Sequence, residues 1–187
     1  MEIDREITEI ENSIINKQRA IDRVNEDSRA LIRMSGQIIT MIHNGEDVKD
    51  RIAEAKALLD RLEPEREFRY YSIQAMQEYS EAVIFYEICK GRGILGYRDV
   101  GVEPDAYLLG LMDVVGELRR EVTESLSKND IDSAERYYSM IKRIFDLTRG
   151  MRYSDSVLPG FRRKQDVARI QMENSGSEIL VSKKRIG

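Results

Sequence analysis

The sequence predicts an all-α protein. Three observations lead there: apolar residues recur at intervals of three and four, Trp is absent and Pro occurs three times in 187 residues, and 34% of the chain is charged. Intervals of three and four place side chains on one stripe of a helix, whereas a strand needs alternation. High charge beside 41% hydrophobic residues suits long helices that share one core and keep much solvated surface. A chain of this length fills one domain comfortably and two poorly, so residues 1–187 are expected to form a single helical domain.

The first element is the longest. From Ile3 the apolar residues step through Ile7, Ile10, Ile14, Ile21, Val24, Leu31, Ile38 and Ile42, with Lys17, Ser28 and Ser35 filling the gaps. This seam resembles that of a coiled coil and predicts one helix roughly 60 Å long. Asn44-Gly45 suits a left-handed helix end. A shorter helix follows, with Val48, Ile52, Ala55, Leu59 and Leu62 facing inward, until Pro64. A third helix is expected from about Glu65 to Cys89, after which Gly91, Gly93, Gly96 and Gly101 mark a connecting loop. The stretch GRGILGY lacks the lysine-hydroxyl ending of a P-loop.

Pro104 opens a fourth helix whose stripe is Leu108, Leu111, Val115, Leu118, Val122 and Leu126. Asn129-Asp130 ends it, and Asp130 or Asp132 caps a fifth helix that closes near Gly150. Pro159 introduces the last helical segment. Asn174-Ser175-Gly176 is expected to weaken its middle, and the tail from Lys183 to Gly187 is expected to fray.

The formal net charge of −4 excludes a protein that coats nucleic acid through bulk positive charge, so any such site must be a local basic patch. Cys89 is the single cysteine, which precludes an intrachain disulfide and reads as core filler. MEIDREITEI lacks the basic and apolar parts of a secretion signal, and no apolar run approaches the roughly 20 residues that span a bilayer. A reducing, cytoplasmic interior is the expectation. His43 is the single histidine, which rules out a multi-histidine metal cluster and reads as a polar residue near a helix end.

Four acids form the candidate chemistry. Glu78 and Glu81 are three apart on the third helix, and Asp113 and Glu117 are four apart on the fourth, so each pair projects from one face. Brought together, four carboxylates repel and raise one another's pKa values unless a cation compensates. Magnesium, or manganese, suits such oxygen ligands and supplies a water for phosphodiester cleavage. Spacing alone leaves the other reading open, because a chain this charged also produces acidic pairs on solvated faces. Asp113 and Glu117 lie opposite the main apolar stripe of their helix, as a solvent-facing pair would.

At these residues the sequence resembles the translin and Trax proteins. MQEYSEAVIF from Met76 and DAYLLGLMDVVGELRR from Asp105 are similar to the two helices that carry the Trax active site, and KNDID at 128–132 and RKQDV at 163–167 extend the likeness over roughly residues 68–170. The resemblance implies a curved bundle of about six to seven helices that assembles into a closed shell around RNA, with the Trax-like chain as a metal-dependent endoribonuclease. By position, Glu78, Glu81, Asp113 and Glu117 match its acidic set, which the translin branch generally lacks. The compact loop from Gly91 to Gly101 looks like a single-gene, archaeal-type member that assembles with itself, an octamer being the leading expectation.

Candidate phosphate contacts are Arg69, two turns before the first acidic pair, and Arg120, one turn beyond Glu117. Tyr70 and Tyr71 read either as base-stacking residues or, more often for helical aromatics, as core. Three functions therefore stand: a metal-dependent endoribonuclease, a non-catalytic shell of the translin type that binds RNA or single-stranded DNA, and a helical scaffold. The acidic quartet separates the first from the second, and titration with short RNA separates both from the third.

Overall fold

The computed structural model describes residues 2–186, with the side chains of 63–66, 185 and 186 excepted. It contains α1 (Glu2–His43), α2 (Lys49–Leu62), a 3-10 segment (Glu63–Tyr71), α3 (Ile73–Cys89), α4 (Tyr97–Val100), α5 (Pro104–Ser127), α6 (Ile131–Thr148) and α7 (Phe161–Ile186), and no strand among the described residues. The all-α expectation holds.

The long N-terminal seam divides into two parts. Residues 2–19 are exposed throughout, so Ile3, Ile7, Ile10 and Ile14 lie on a helical arm that no other described part of the chain covers. From Ala20 onward the buried positions are Ala20, Val24, Ser28, Leu31, Ser35 and Ile38. Ser28 and Ser35 are therefore not gaps in the seam but small residues inside it, which let α1 lie close to its neighbours. The helix stops as Asn44-Gly45 predicts: Gly45 has φ 75°, and Glu46 N–H donates to Met41 O at 2.9 Å.

Two boundaries differ from expectation. The third helix starts at Ile73, not near Glu65, because residues 63–71 form 3-10 turns. That stretch, EPEREFRYY, has a proline without a donor and little apolar surface to pack, so tertiary burial does not hold it in α geometry. In the opposite sense, α7 runs unbroken through Asn174-Ser175-Gly176. Ser175 is fully buried there, and a Cβ on Gly176 would meet the Tyr138 hydroxyl at 2.9 Å. Packing against α6 outweighs the weak local propensity. The helix continues through Lys183 and Lys184 to Ile186, so the expected fraying does not set in before it, and Gly187 lies outside the described residues.

Helix α5 is the hub: it packs on α3, α4, α6 and α7, while α1 and α2 lie beyond α3. Its buried residues include Leu109, Gly110, Met112 and Val114 beside the expected Leu111, Val115, Leu118 and Val122. The helix is thus covered on more than the one predicted stripe. Its contact with α3 turns on Gly110, where a Cβ would stand 2.5 Å from Gln77 O, 2.8 Å from Ser80 Cβ and 3.1 Å from Glu81 N. Two of those three atoms are backbone and cannot rotate away. Gly110→Ala should therefore lower stability by about 1–3 kcal/mol through overpacking, read as a lower urea midpoint at fixed protein concentration. An unchanged midpoint would mean that α3 and α5 separate freely.

Candidate functional site

The Gly110 crossing explains where the acids go. Asp113 and Glu117 are three and seven residues after Gly110, on the face of α5 that meets α3, while Gln77 and Glu81 are the residues of α3 whose backbone lies against Gly110. The solvent-facing reading of Asp113 and Glu117 is therefore corrected: their side chains are 24% and 25% exposed. Single-stripe reasoning placed them outward because it had no knowledge of the second buried face.

Glu81 is the most deeply placed of the four, at 8% exposure, followed along the same face by the buried Phe85 and Ile88. Among the described residues no donor hydrogen-bonds its carboxyl. Burial first, then the charges of Asp113, Glu78 and Glu117, push its pKa up to about 8, against the partial opposition of Lys164. Glu78 is raised in the same direction, by burial and then by Asp113. The four acids named from the sequence thus share one electrostatic environment, although they stand on two helices.

Their charge is met by residues the sequence reading did not assign to the site. Gln77 Nε2 donates to Asp113 Oδ2 at 2.6 Å, and Lys164 Nζ pairs with Asp113 Oδ1 from the first turn of α7. His43, at the end of α1, lies with Nε2 2.5 Å from Glu117 Oε2 and Nδ1 2.6 Å from Glu121 Oε1, its side chain 2% exposed. Ionised carboxylates only accept, so this bridge needs hydrogen on both ring nitrogens or on one carboxyl. The ring also stands 5.0 Å from that of Phe85. His43 therefore stands at a helix end, as expected, and is in addition bonded into the acidic cluster. Its isolation in the sequence concealed this, because its partners are 74 and 78 residues away.

For a metal ion the donor chemistry fits: oxygen ligands on two facing helices, one of them buried without a hydrogen-bond donor. Among the described residues, the group that brings three ligand atoms within 4.8 Å of one another is His43, Glu121 and Glu124, its two acids about two to three turns further along α5 than Asp113. Glu117, shared with His43, links that trio to the quartet. Among the described residues no three of Glu78, Glu81, Asp113 and Glu117 meet that spacing, so the compact trio lies beside the expected quartet and not within it.

The basic candidates separate. Arg69 pairs with Asp105 and lines a cavity of about 810 Å3 with Lys56, Ser72, Met76 and Tyr97. Arg120 is exposed on α5 and adds to Lys128 in lowering the pKa of Glu124. Neither lines the cavity of about 370 Å3 that Asp113 shares with Arg163, Lys164, Gly116 and Gly160. Tyr70 and Tyr71 are 84% and 43% exposed, which excludes the core role for them. Cys89 is half-buried against the core, where burial pushes the thiol up to about 12. No described helix is long and apolar enough to cross a membrane.

Comparison with known proteins agrees with this architecture. A model of the Translin family matches residues 1–174. An uncharacterised protein of Methanocaldococcus jannaschii is 30% identical over 182 residues, spanning 94% of this chain and 82% of that protein. The crystal structure of AfC3PO superposes with a TM-score of 0.89 at 29% identity, covering 96% of this chain and 98% of that one. AfC3PO in complex with duplex RNA gives a TM-score of 0.89 at 28% identity over 96% and 97% of the two chains. Apo-NeC3PO, at 20% identity and a TM-score of 0.82 over 94% and 96%, shares the fold. With the family's model spanning nearly all of its length, the chain belongs to the Translin family.

Proposed function

We propose that the protein is a Trax-like, metal-dependent endoribonuclease that works inside a homo-oligomeric shell. The observation that carries the reading is Glu81, a buried carboxyl without a donor and surrounded by three further acids. Such a group costs stability and has no structural use in an RNA-binding wall. Glu78, Glu81, Asp113 and Glu117 would hold a magnesium or manganese ion, which supplies a polarised phosphate and an activated water when bound. The chain's part is to fix the ligands: Gly110 sets the distance between the two helices, Gln77 orients Asp113, and His43 holds Glu117. RNA as the substrate draws support from the AfC3PO complex with duplex RNA. Arg69 and Arg120 are proposed phosphate contacts on approach to the site.

The runner-up is a non-catalytic shell that binds RNA or single-stranded DNA. It is favoured by the ion pair of Lys164 with Asp113 and the hydrogen bond between His43 and Glu117, which engage these acids without any ion. The two readings separate on cleavage. Incubation with labelled RNA should give products with magnesium or manganese and none with EDTA. Glu78→Gln, Glu81→Gln, Asp113→Asn and Glu117→Gln should each reduce the rate by about a hundredfold or more, while anisotropy with the same RNA changes little. Cleavage that persists in EDTA, or in the variant lacking all four acids, rejects the metal nuclease.

Glu81 also makes a stability prediction with a definite sign. Its folded pKa, about 8, lies above the ordinary 4.5, so the stability it contributes is fully present below about pH 4.5 and is lost as pH rises through 8. In EDTA, melting temperatures of the parent should therefore fall relative to Glu81→Gln between pH 5 and 8.5. Glu78, raised in the same sense, adds a slope of that sign to both proteins. Parallel curves would show that Glu81 is not destabilised by ionisation.

Self-association follows from the exposed arm. Four isoleucines on one face of residues 2–19 leave a stripe that a partner chain can bury, and Val167, Ile170, Leu180 and Val181 add exposed apolar surface on α7. About eight chains in a closed assembly is the proposed state, to be read by light scattering. A monomer mass that does not change with concentration would remove the shell.

A further inference from the structure

The cavity beside Asp113 holds two cations of different standing. Lys164 and Arg163 both line it, at the start of α7, together with Gly116 and Gly160. Lys164 is turned onto Asp113 and is half-buried in that ion pair. Arg163 is exposed and has no ion pair among the described residues. Gly116 presents no side chain, and a Cβ there would meet nothing within 4 Å, so this part of the lining is open backbone. A space of about 370 Å3 with two cations in its wall and open backbone on α5 has the size and charge for a phosphodiester group.

Lys164 is also the cation that opposes the raised pKa of both Glu78 and Glu81. It therefore supplies positive charge to the same acids that a divalent ion would occupy. An ion held at Asp113 and the Lys164 ammonium beside it would be like charges a few ångströms apart, so each weakens the other's hold on that carboxylate.

We propose that Lys164 is a resident substitute for the divalent ion: it occupies Asp113 in the ion-free protein, is displaced when the ion binds, and then turns with Arg163 to hold an RNA phosphate in the adjoining cavity. This rests on the metal-dependent reading above. It makes ion binding and RNA binding reinforce each other, since the ion frees the lysine that the phosphate needs. Only the partner of the ammonium changes.

The test uses the full chain and two readouts that need no cleavage. Free Mn2+ is followed by electron paramagnetic resonance as it titrates the parent, Lys164→Met and Lys164→Arg, each checked for helix content by circular dichroism. Short RNA with non-hydrolysable linkages is then titrated by anisotropy with and without Mn2+. Lys164→Met should bind Mn2+ about tenfold more tightly than the parent, because a competing charge beside Asp113 is gone. Lys164→Arg should stay near the parent. Mn2+ should strengthen RNA binding several-fold in the parent and little in Lys164→Met. A merely structural lysine would give the opposite sign, since its loss would loosen Asp113 and weaken the ion. Unchanged or weaker Mn2+ binding by Lys164→Met, with the parent still binding, overturns this proposal and leaves the metal site standing. No Mn2+ bound by either protein overturns the metal reading and this inference with it.

Discussion

The close approach of α3 and α5 at Gly110 is the constraint on which the rest depends. A Cβ at that position would stand 2.5 Å from Gln77 O, so only hydrogen fits there. Once the backbones are that near, the side chains flanking the crossing have no room to avoid one another. Gln77 reaches Asp113, and Glu81 is buried among carboxylates. A glycine in the middle of a helix is locally unfavourable by about 1 kcal/mol against alanine. Here the loss is tied to a specific gain, the juxtaposition of acids that no single helix can provide.

Juxtaposed acids must be compensated, and the fold draws its compensation from two helices far apart in the chain. His43 comes from the last turn of α1 and Lys164 from the first turn of α7, and both reach α5. Neither covers Glu81. The pattern is uneven: Asp113 has both oxygens engaged and Glu117 has an imidazole, while the deepest carboxyl has burial without a donor. A wall built only for shape would place an apolar residue at that depth. The unevenness is what distinguishes a ligand-ready cluster from a set of ordinary ion pairs.

Most of the helices were legible because their signals are local. The Asn44-Gly45 stop, the Asp130 cap, which accepts from Ser133 N–H at 3.0 Å, and the α5 stripe all depend on residues within a turn or two. The four acids became candidates through the resemblance, since their spacing alone fits solvated faces equally well. The 3-10 segment and the continuity of α7 were not, because each is decided by what packs against it, as Tyr138 does against Gly176. His43 and Lys164 were missed for the same reason. Nothing local ties a lone histidine, or a lysine within the RKQDV stretch, to acids on other helices, since their partners are 51 to 78 residues distant.

That separation bears on how the site comes into being. Asp113 cannot gain its lysine partner until α7 has docked on α5, and Glu117 cannot gain its histidine until the end of α1 has passed over α3 to reach it. Helices form quickly from local contacts, whereas these contacts require loops of many residues to close. Before they close, the acids on α3 and α5 repel at the very crossing Gly110 creates, so the charge cluster opposes the helix pair that holds it. The compensating groups on α1 and α7 therefore couple completion of the whole bundle to assembly of the site. An ion entering the cluster would act on that same balance, in the place where the chain's own cations leave a carboxyl unpaired.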